Sequence, residues 1–313
     1  MNAKYFLILL LSSLVVIQGC DELDPDDPYQ LTLSDFLQNN KPALQTFTVQ
    51  AGTASEINGA KGCTINFNAN SFSTLAGVPV TSGDIEIQLR EATTKKDMVL
   101  SQTPTISDNE LIVSQGVYYL KALQNGFELR IENFSIEKTV AADTNNLNMF
   151  VGVIDGDDFN WIVNDSSGAY GFPIGNINYS TSGDSTYYQM NIASTYFATQ
   201  NYNWINCDYF YNSSAPRVAV FFPTTDSINA YYFQSYLVFN NLNAVLHYNG
   251  YSTNQIEFYN IPQGLDATLV TYYIVDGTPF VATADITVSD ALSTPITFTE
   301  TTEQGLLDIL EGL

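Results

Sequence analysis

From residue 46 onward, apolar and polar positions alternate in short runs separated by Gly, Asn, Asp and Pro. Asp84-Ile85-Glu86-Ile87-Gln88-Leu89-Arg90 is the clearest case, with Ile85, Ile87 and Leu89 on one side of an extended backbone and the polar residues on the other. Successive side chains point to opposite faces of a strand, so this period predicts half-buried β-structure. Thr46–Val49, Cys63–Phe67, Glu110–Ser114, Val117–Leu123 and Phe127–Ile131 repeat it, and Asn125-Gly126 between the last two predicts a tight hairpin. A first β-sandwich domain is expected over residues 46–147. Residues 148–215 read as a middle β-region, with a strand at Met149–Ile154 and an acidic turn at Asp155-Gly156-Asp157-Asp158. Beyond it, Val218–Pro223, Ser235–Phe239, Ala244–Tyr248, Gln255–Tyr259, Ala267–Val275, Pro279–Ala284 and Ala284–Val288 give six or seven strands, with Asn249-Gly250, Gln263-Gly264 and Asp276-Gly277 as punctuation. Such regular short strands predict a C-terminal sandwich over 216–313. Apolar positions 306, 310 and 313 behind a Thr cap predict a short amphipathic helix at its end. The expected class is mainly β: serial β-sandwich domains with a short C-terminal helix.

One stretch breaks the pattern. Tyr5–Ile17 is apolar apart from Ser12 and Ser13 and follows Lys4. It is shorter than the roughly 20 residues that span a bilayer as a helix, and has the proportions of a signal peptide over residues 1–19. Ile17-Gln18-Gly19-Cys20 resembles the lipidation box of bacterial lipoproteins. The resemblance implies that Cys20 is acylated and attaches the protein to a membrane, since several acyl chains on one residue anchor stably. Residues 20–45 begin with Asp21-Glu22-Leu23-Asp24-Pro25-Asp26-Asp27 and are expected to be an acidic tether. That run also resembles the export signal of Bacteroidetes surface lipoproteins, implying an outer-membrane location that faces outward; a plain solvated linker is the other reading.

Charge narrows the partners. Thirty-three acids against ten bases give a net charge of −23, which excludes nucleic acid and anionic lipid head groups as binding surfaces. Composition leaves little room for chemistry that depends on histidine, because His247 is the single imidazole. A Ser-His-Asp or Cys-His arrangement has one base to draw on, in an apolar strand, and no catalytic residue is nominated. Two cysteines and one distant histidine do not make a zinc site, and the acidic turn lacks the spacing of an EF-hand calcium loop, so neither a metal nor a cofactor is expected. Twenty Tyr and 19 Phe are the abundant resource. Consecutive aromatics at Tyr118-Tyr119, Tyr187-Tyr188, Tyr209-Phe210-Tyr211, Tyr231-Tyr232-Phe233 and Tyr272-Tyr273 put one ring of each group away from the core. Tyr118, Tyr187, Tyr209, Tyr231 and Tyr272 are therefore candidate contacts for a glycan or a protein partner, unless both sheet faces are covered.

With Cys20 assigned to the lipid, Cys63 and Cys207 remain, either as a disulfide clamping the first domain to a later one or as two buried thiols. Lys61-Gly62-Cys63-Thr64-Ile65, Asn70-Ser71-Phe72, Gly77-Val78-Pro79-Val80, Ile85–Glu91, Asp97-Met98-Val99-Leu100, Thr103-Pro104-Thr105, Leu111–Gly116 and Asn125-Gly126 together resemble a β-domain of uncharacterised Bacteroidetes surface lipoproteins. They are more distantly similar to the ZU5-type sandwich of interaction scaffolds. Asn203–Tyr211 resembles a Trp-Ile-Asn-Cys-Asp signature of the same lipoproteins. The resemblance implies Ig-like or ZU5-like sandwiches and a non-enzymatic surface module, adhesive or complex-forming, with a carbohydrate-binding lipoprotein of a glycan-uptake system as the alternative.

Overall fold

The computed structural model describes residues 31–140, 146–155, 158–163, 175–182, 185–197, 200–201, 203–225 and 233–313. The leader, Cys20, the acidic run to Gln30, Gly156 and Asp157 of the acidic turn, and Tyr231 lie outside them. The first part of the described chain holds α1 (Leu33–Asn40), β1 (Gln45–Gln50), β2 (Ser55–Asn58), β3 (Cys63–Phe67), β4 (Phe72–Thr74), β5 (Asp84–Ala92), α2 (Lys95–Ser101), β6 (Ile106–Ser107), β7 (Glu110–Gln124), β8 (Phe127–Val140), β9 (Asn148–Asp155), β10 (Asp158–Val163), β11 (Gly175–Ser182), β12 (Ser185–Ser194), β13 (Tyr196–Phe197), β14 (Gln200–Asn201) and β15 (Trp204–Phe210). Then come β16 (Arg217–Pro223), β17 (Phe233–Phe239), β18 (Val245–His247), β19 (Gly250–Ser252), β20 (Gln255–Pro262), β21 (Asp266–Val275), β22 (Thr278–Thr287), β23 (Leu292–Ser293), β24 (Thr299–Glu300) and α3 (Glu303–Glu311). The protein is mainly β, and α3 is the short C-terminal helix expected from the pattern.

The described strands from β1 to β12, together with β15, form one sandwich. One layer runs β1-β5-β7-β15-β9-β10 and the other β2-β3-β8-β12-β11. The alternation read from sequence sets the inward faces: Ile85, Ile87 and Leu89 of β5 and Ile65 of β3 are all buried against the same core. Long β8 links the layers. Its start pairs with β7 and β4, its later part from Phe134 pairs with β3, and Asn133 between them takes φ 50. A left-handed residue lets the strand turn from one sheet to the other, and the Asn133 carbonyl there accepts the Ser71 hydroxyl at 3.0 Å.

Three expectations change. The boundary at 147/148 falls inside this sandwich, because β9, β10 and β15 extend one layer and β11 and β12 the other. The strands expected at 110–114 and 117–123 are one strand, β7, with an irregularity in its pairing to β15. Residues 33–40, assigned to the tether, are helical: the Thr32 hydroxyl accepts the Asp35 N–H at 3.1 Å, and the Asp35 carboxylate accepts the Thr32 N–H at 3.3 Å. That reciprocal box satisfies two orphan donors of the first turn, while Phe36 and Leu37 bury on the inner face.

Strands β16 to β24 form the second sandwich, β19-β20-β16-β23 over β18-β17-β21-β22-β24. Asn125-Gly126 and Asp276-Gly277 are two-residue hairpin turns with both residues at positive φ, as their sequence demanded. Asn249-Gly250 instead carries the chain from β18 in one layer to β19 in the other.

The two sandwiches share an interior. Phe36 and Leu37 of α1, Met98, Val99 and Leu100 of α2, and Leu306 and Leu310 of α3 pack with Phe150 and Trp161 of the first sandwich and Tyr236, Val238 and Tyr272 of the second. Burying each such side chain contributes about 1.5–3 kcal/mol, so this seam is comparable with a domain core. Backbone bonds stitch it: Thr105 N–H donates to the Val245 carbonyl at 2.7 Å and Ser114 N–H to the Asn243 carbonyl at 3.0 Å. The sheet holding β17 and β21 is consequently buried on both faces, Tyr236 and Tyr272 toward the seam and Leu237 and Leu269 toward its own core.

Candidate functional site

The aromatics nominated from sequence do not converge. Tyr118 is fully buried, its hydroxyl 2.7 Å from that of Tyr188, and Gly116 gives them room: a Cβ there would stand 2.5 Å from the Tyr118 oxygen. Tyr272 is also fully buried, edge-on to Phe36 with centroids 5.9 Å apart. Its neighbour Tyr273 packs on the other face, stacked on Phe280 at 5.2 Å. Neither Tyr118 nor Tyr272 is a ligand contact: Tyr118 points into the core of the first sandwich, and the sheet carrying Tyr272 is covered on both sides. Tyr187 and Tyr209 are half-buried on strands of the first sandwich, Tyr209 against its core.

Cys63 and Cys207 are free and buried. Both line the core of the first sandwich, so a bridge between them would lie inside one unit rather than clamp two. Burial first, and then the adjacent Glu91 carboxylate, push the Cys63 thiol far up. Burial and then Asp208 do the same to Cys207. A thiolate is the reactive form, and these sites oppose it. Glu91, 1% exposed, accepts Gln45 Nε2 at 3.0 Å, Lys61 N–H at 2.8 Å and Cys63 N–H at 3.3 Å. Gly59 lies against it, where a Cβ would be 2.5 Å from a Glu91 oxygen and 2.7 Å from Cys63 Sγ.

A second buried carboxylate sits where β15 slips against β7. Asp208 has no exposed surface; its oxygens accept the Gln115 N–H at 3.2 Å and the Asn206 amide, and the Ser114 hydroxyl bonds it as well. Burial outweighs those three bonds and raises its pKa to about 7. The His247 ring contacts those of Tyr236, with centroids 5.1 Å apart, and Tyr248, at 4.4 Å, and burial lowers its pKa to about 4, leaving it neutral near pH 7. Among the described residues no group of three or more His, Cys, Asp or Glu side chains is placed to hold a metal, and no helix is long and apolar enough to cross a membrane.

Among the described residues Phe127, Tyr179, Tyr251 and Tyr259 are the exposed aromatics, and of these Tyr259 lies on the outer face of the β19-β20-β16-β23 sheet. Ile256 and Phe258 of β20 and Val220 and Phe222 of β16 point into the sandwich, so Gln255, Glu257 and Tyr259, with Ala219 and Phe221, point out. Tyr259 is 42% exposed, with its ring at 83° to that of Phe221 and the centroids 6.1 Å apart. Glu257 accepts the Tyr259 hydroxyl on one oxygen and Gln255 Nε2 at 2.8 Å on the other. The Asn249 side chain fixes the Tyr259 backbone, accepting its N–H at 2.8 Å and donating to its carbonyl at 3.3 Å. Gly250 clears the space beside them: a Cβ would come within 2.7 Å of the Tyr259 ring and 2.9 Å of a Glu257 oxygen. Phe221-Phe222 and Phe258-Tyr259 are consecutive aromatics like the five groups nominated from sequence, and that is the signal by which this face is legible there. No family model matches the chain, and no curated protein is similar to it.

Proposed function

We propose that the protein is a non-enzymatic surface lipoprotein, held to the outer membrane through an acylated Cys20 and facing outward, whose two sandwiches act as a rigid module for adhesion or for assembling a complex. The observation that carries the reading is the place of α1. The helix that follows the tether is buried in the seam between the sandwiches, Phe36 fully and Leu37 nearly so, and both units contribute to that seam. A tether attached there transmits load to the whole interior rather than to a fraying terminus. The state of the reactive groups supports the same reading: both described thiols are buried with raised pKa values, and the imidazole is neutral among tyrosines.

Membrane fractionation tests the anchor and protease treatment of intact cells tests the orientation. Cys20→Ser should move the protein to the soluble fraction, and the native protein should be digested without cell lysis. Retention of Cys20→Ser in the membrane fraction, or full protection of the native protein on intact cells, refutes the respective half.

A further inference from the structure

We propose that the outer face of the β19-β20-β16-β23 sheet binds a neutral oligosaccharide, one pyranose ring seating in the corner between Phe221 and Tyr259 and bonding through its hydroxyls to Glu257 and Gln255. The inference goes beyond the display reading and does not depend on the anchor.

The corner has two kinds of surface that a sugar ring requires. A pyranose has an apolar C–H face and a rim of hydroxyls. Two rings near 83° offer one the flat contact and the edge a lateral wall. Phe221 lies opposite Glu257 on one side and Ser293 on the other, and Glu257 lies opposite Gly250, so this row of four strands reads glycine, glutamate, phenylalanine, serine. With Ala219 beside it on β16, the Phe221 ring is flanked by small residues along its strand and across to β23. The polar groups are positioned in advance. Glu257 holds a bond on each oxygen, from Tyr259 and from Gln255, and each carboxylate oxygen keeps a lone pair for a sugar hydroxyl. Asn249 locks the backbone of Tyr259 at two points, which removes part of the ordering cost of binding.

Charge selects the class of glycan. Hydroxyls can donate to Glu257, whereas a uronate or sulfated sugar would meet that carboxylate and a chain of net charge −23. An extended peptide would pair with sheet-edge backbone groups, and the groups arrayed here are side chains on the face.

Native affinity electrophoresis of the purified full-length protein in mild detergent tests the proposal, with gels containing mixed-linkage β-glucan, galactomannan or dextran and with polygalacturonate as the anionic comparison. At least one neutral polysaccharide should retard the protein and polygalacturonate should not. Phe221→Ala should weaken the retarding interaction roughly tenfold or more, and Tyr187→Ala, on the first sandwich, should leave it unchanged. Ser293→Arg keeps the test readable if Phe221→Ala fails to fold: its exposed position opposite Phe221 lets the longer side chain cover the ring without entering the core, and it should abolish retardation. Three results each overturn the proposal: no retardation by any neutral polysaccharide, as expected if the face docks a protein instead; retardation by polygalacturonate alone; or equal retardation of wild type and Ser293→Arg.

Discussion

Asp208→Asn should stabilise the protein, and by an amount that grows with pH. The folded carboxyl titrates at about 7 against an ordinary value of 3.8, because burial opposes its charge more than Ser114, the Gln115 N–H and Asn206 favour it. Between those values the folded state keeps a proton that the unfolded state releases. Stability contributed by the protonated form is therefore complete below the ordinary carboxylate range and is lost as pH rises through 7. About three units at 1.36 kcal/mol each give a penalty of about 4 kcal/mol above neutrality, falling to about 1 kcal/mol near pH 4.5. Asn at 208 has no charge to bury. Its new N–H₂ can face Asn206 once the Asn206 amide turns its oxygen toward it, and the Ser114 hydroxyl can accept from the other end. Urea unfolding of wild type and variant across that pH range measures the difference, and the titration of every shared acid cancels in the subtraction. The variant's advantage should rise by about 3 kcal/mol from about pH 4.5 to about pH 9. An advantage that stays flat across the range would refute the burial argument.

The other expectations concern packing and thiols. Gly59→Ala sets a methyl 2.5 Å from a Glu91 oxygen and should cost about 1–3 kcal/mol of unfolding free energy, seen as a lower urea midpoint; an unchanged midpoint would count against the close approach. Phe36→Ala empties a fully buried site in the seam and should cost about 3–5 kcal/mol, and one unfolding transition should persist in native protein by fluorescence and circular dichroism. Cys63 and Cys207 should resist a maleimide in the native protein and take two adducts after denaturation without reductant, counted by mass spectrometry; no adducts would mean a disulfide.

Local pattern carried the strands, because burial on one face leaves a period of two in the sequence whatever lies across the sheet, and it carried the turns at Asn125-Gly126, Gln263-Gly264 and Asp276-Gly277. What it did not carry is which strands are neighbours. Nothing near Asn133 announces that β8 changes sheets, and without that change the 148–215 strands have no visible place in the first sandwich. Helices α1 and α2 were missed for another reason. Thr32-x-x-Asp35 and Thr94-x-x-Asp97 are the same capping box, but each is followed by barely two turns, too short for a helical period to show.

The aromatic pairs separate what parity decides from what coverage decides. Parity assigns Tyr272 and Tyr273 to opposite faces of β21, and they do lie on opposite faces; both are covered, since the seam with its three helices buries the face that alternation alone would leave to solvent. Phe258 and Tyr259 obey the same parity on β20, and there the second ring remains 42% exposed, because no described layer covers that face of the sheet. The composition therefore does not say how many of the 20 tyrosines face solvent. That number is set by how many layers are stacked, and the layers are stacked by short apolar stretches such as Phe36-Leu37 and Met98-Val99-Leu100 that look least like sheet. A binding face on such a protein is to be sought on a sheet that no other described layer covers, and on the β19-β20-β16-β23 sheet the corner of Phe221 and Tyr259 lies beside a carboxylate already held in place.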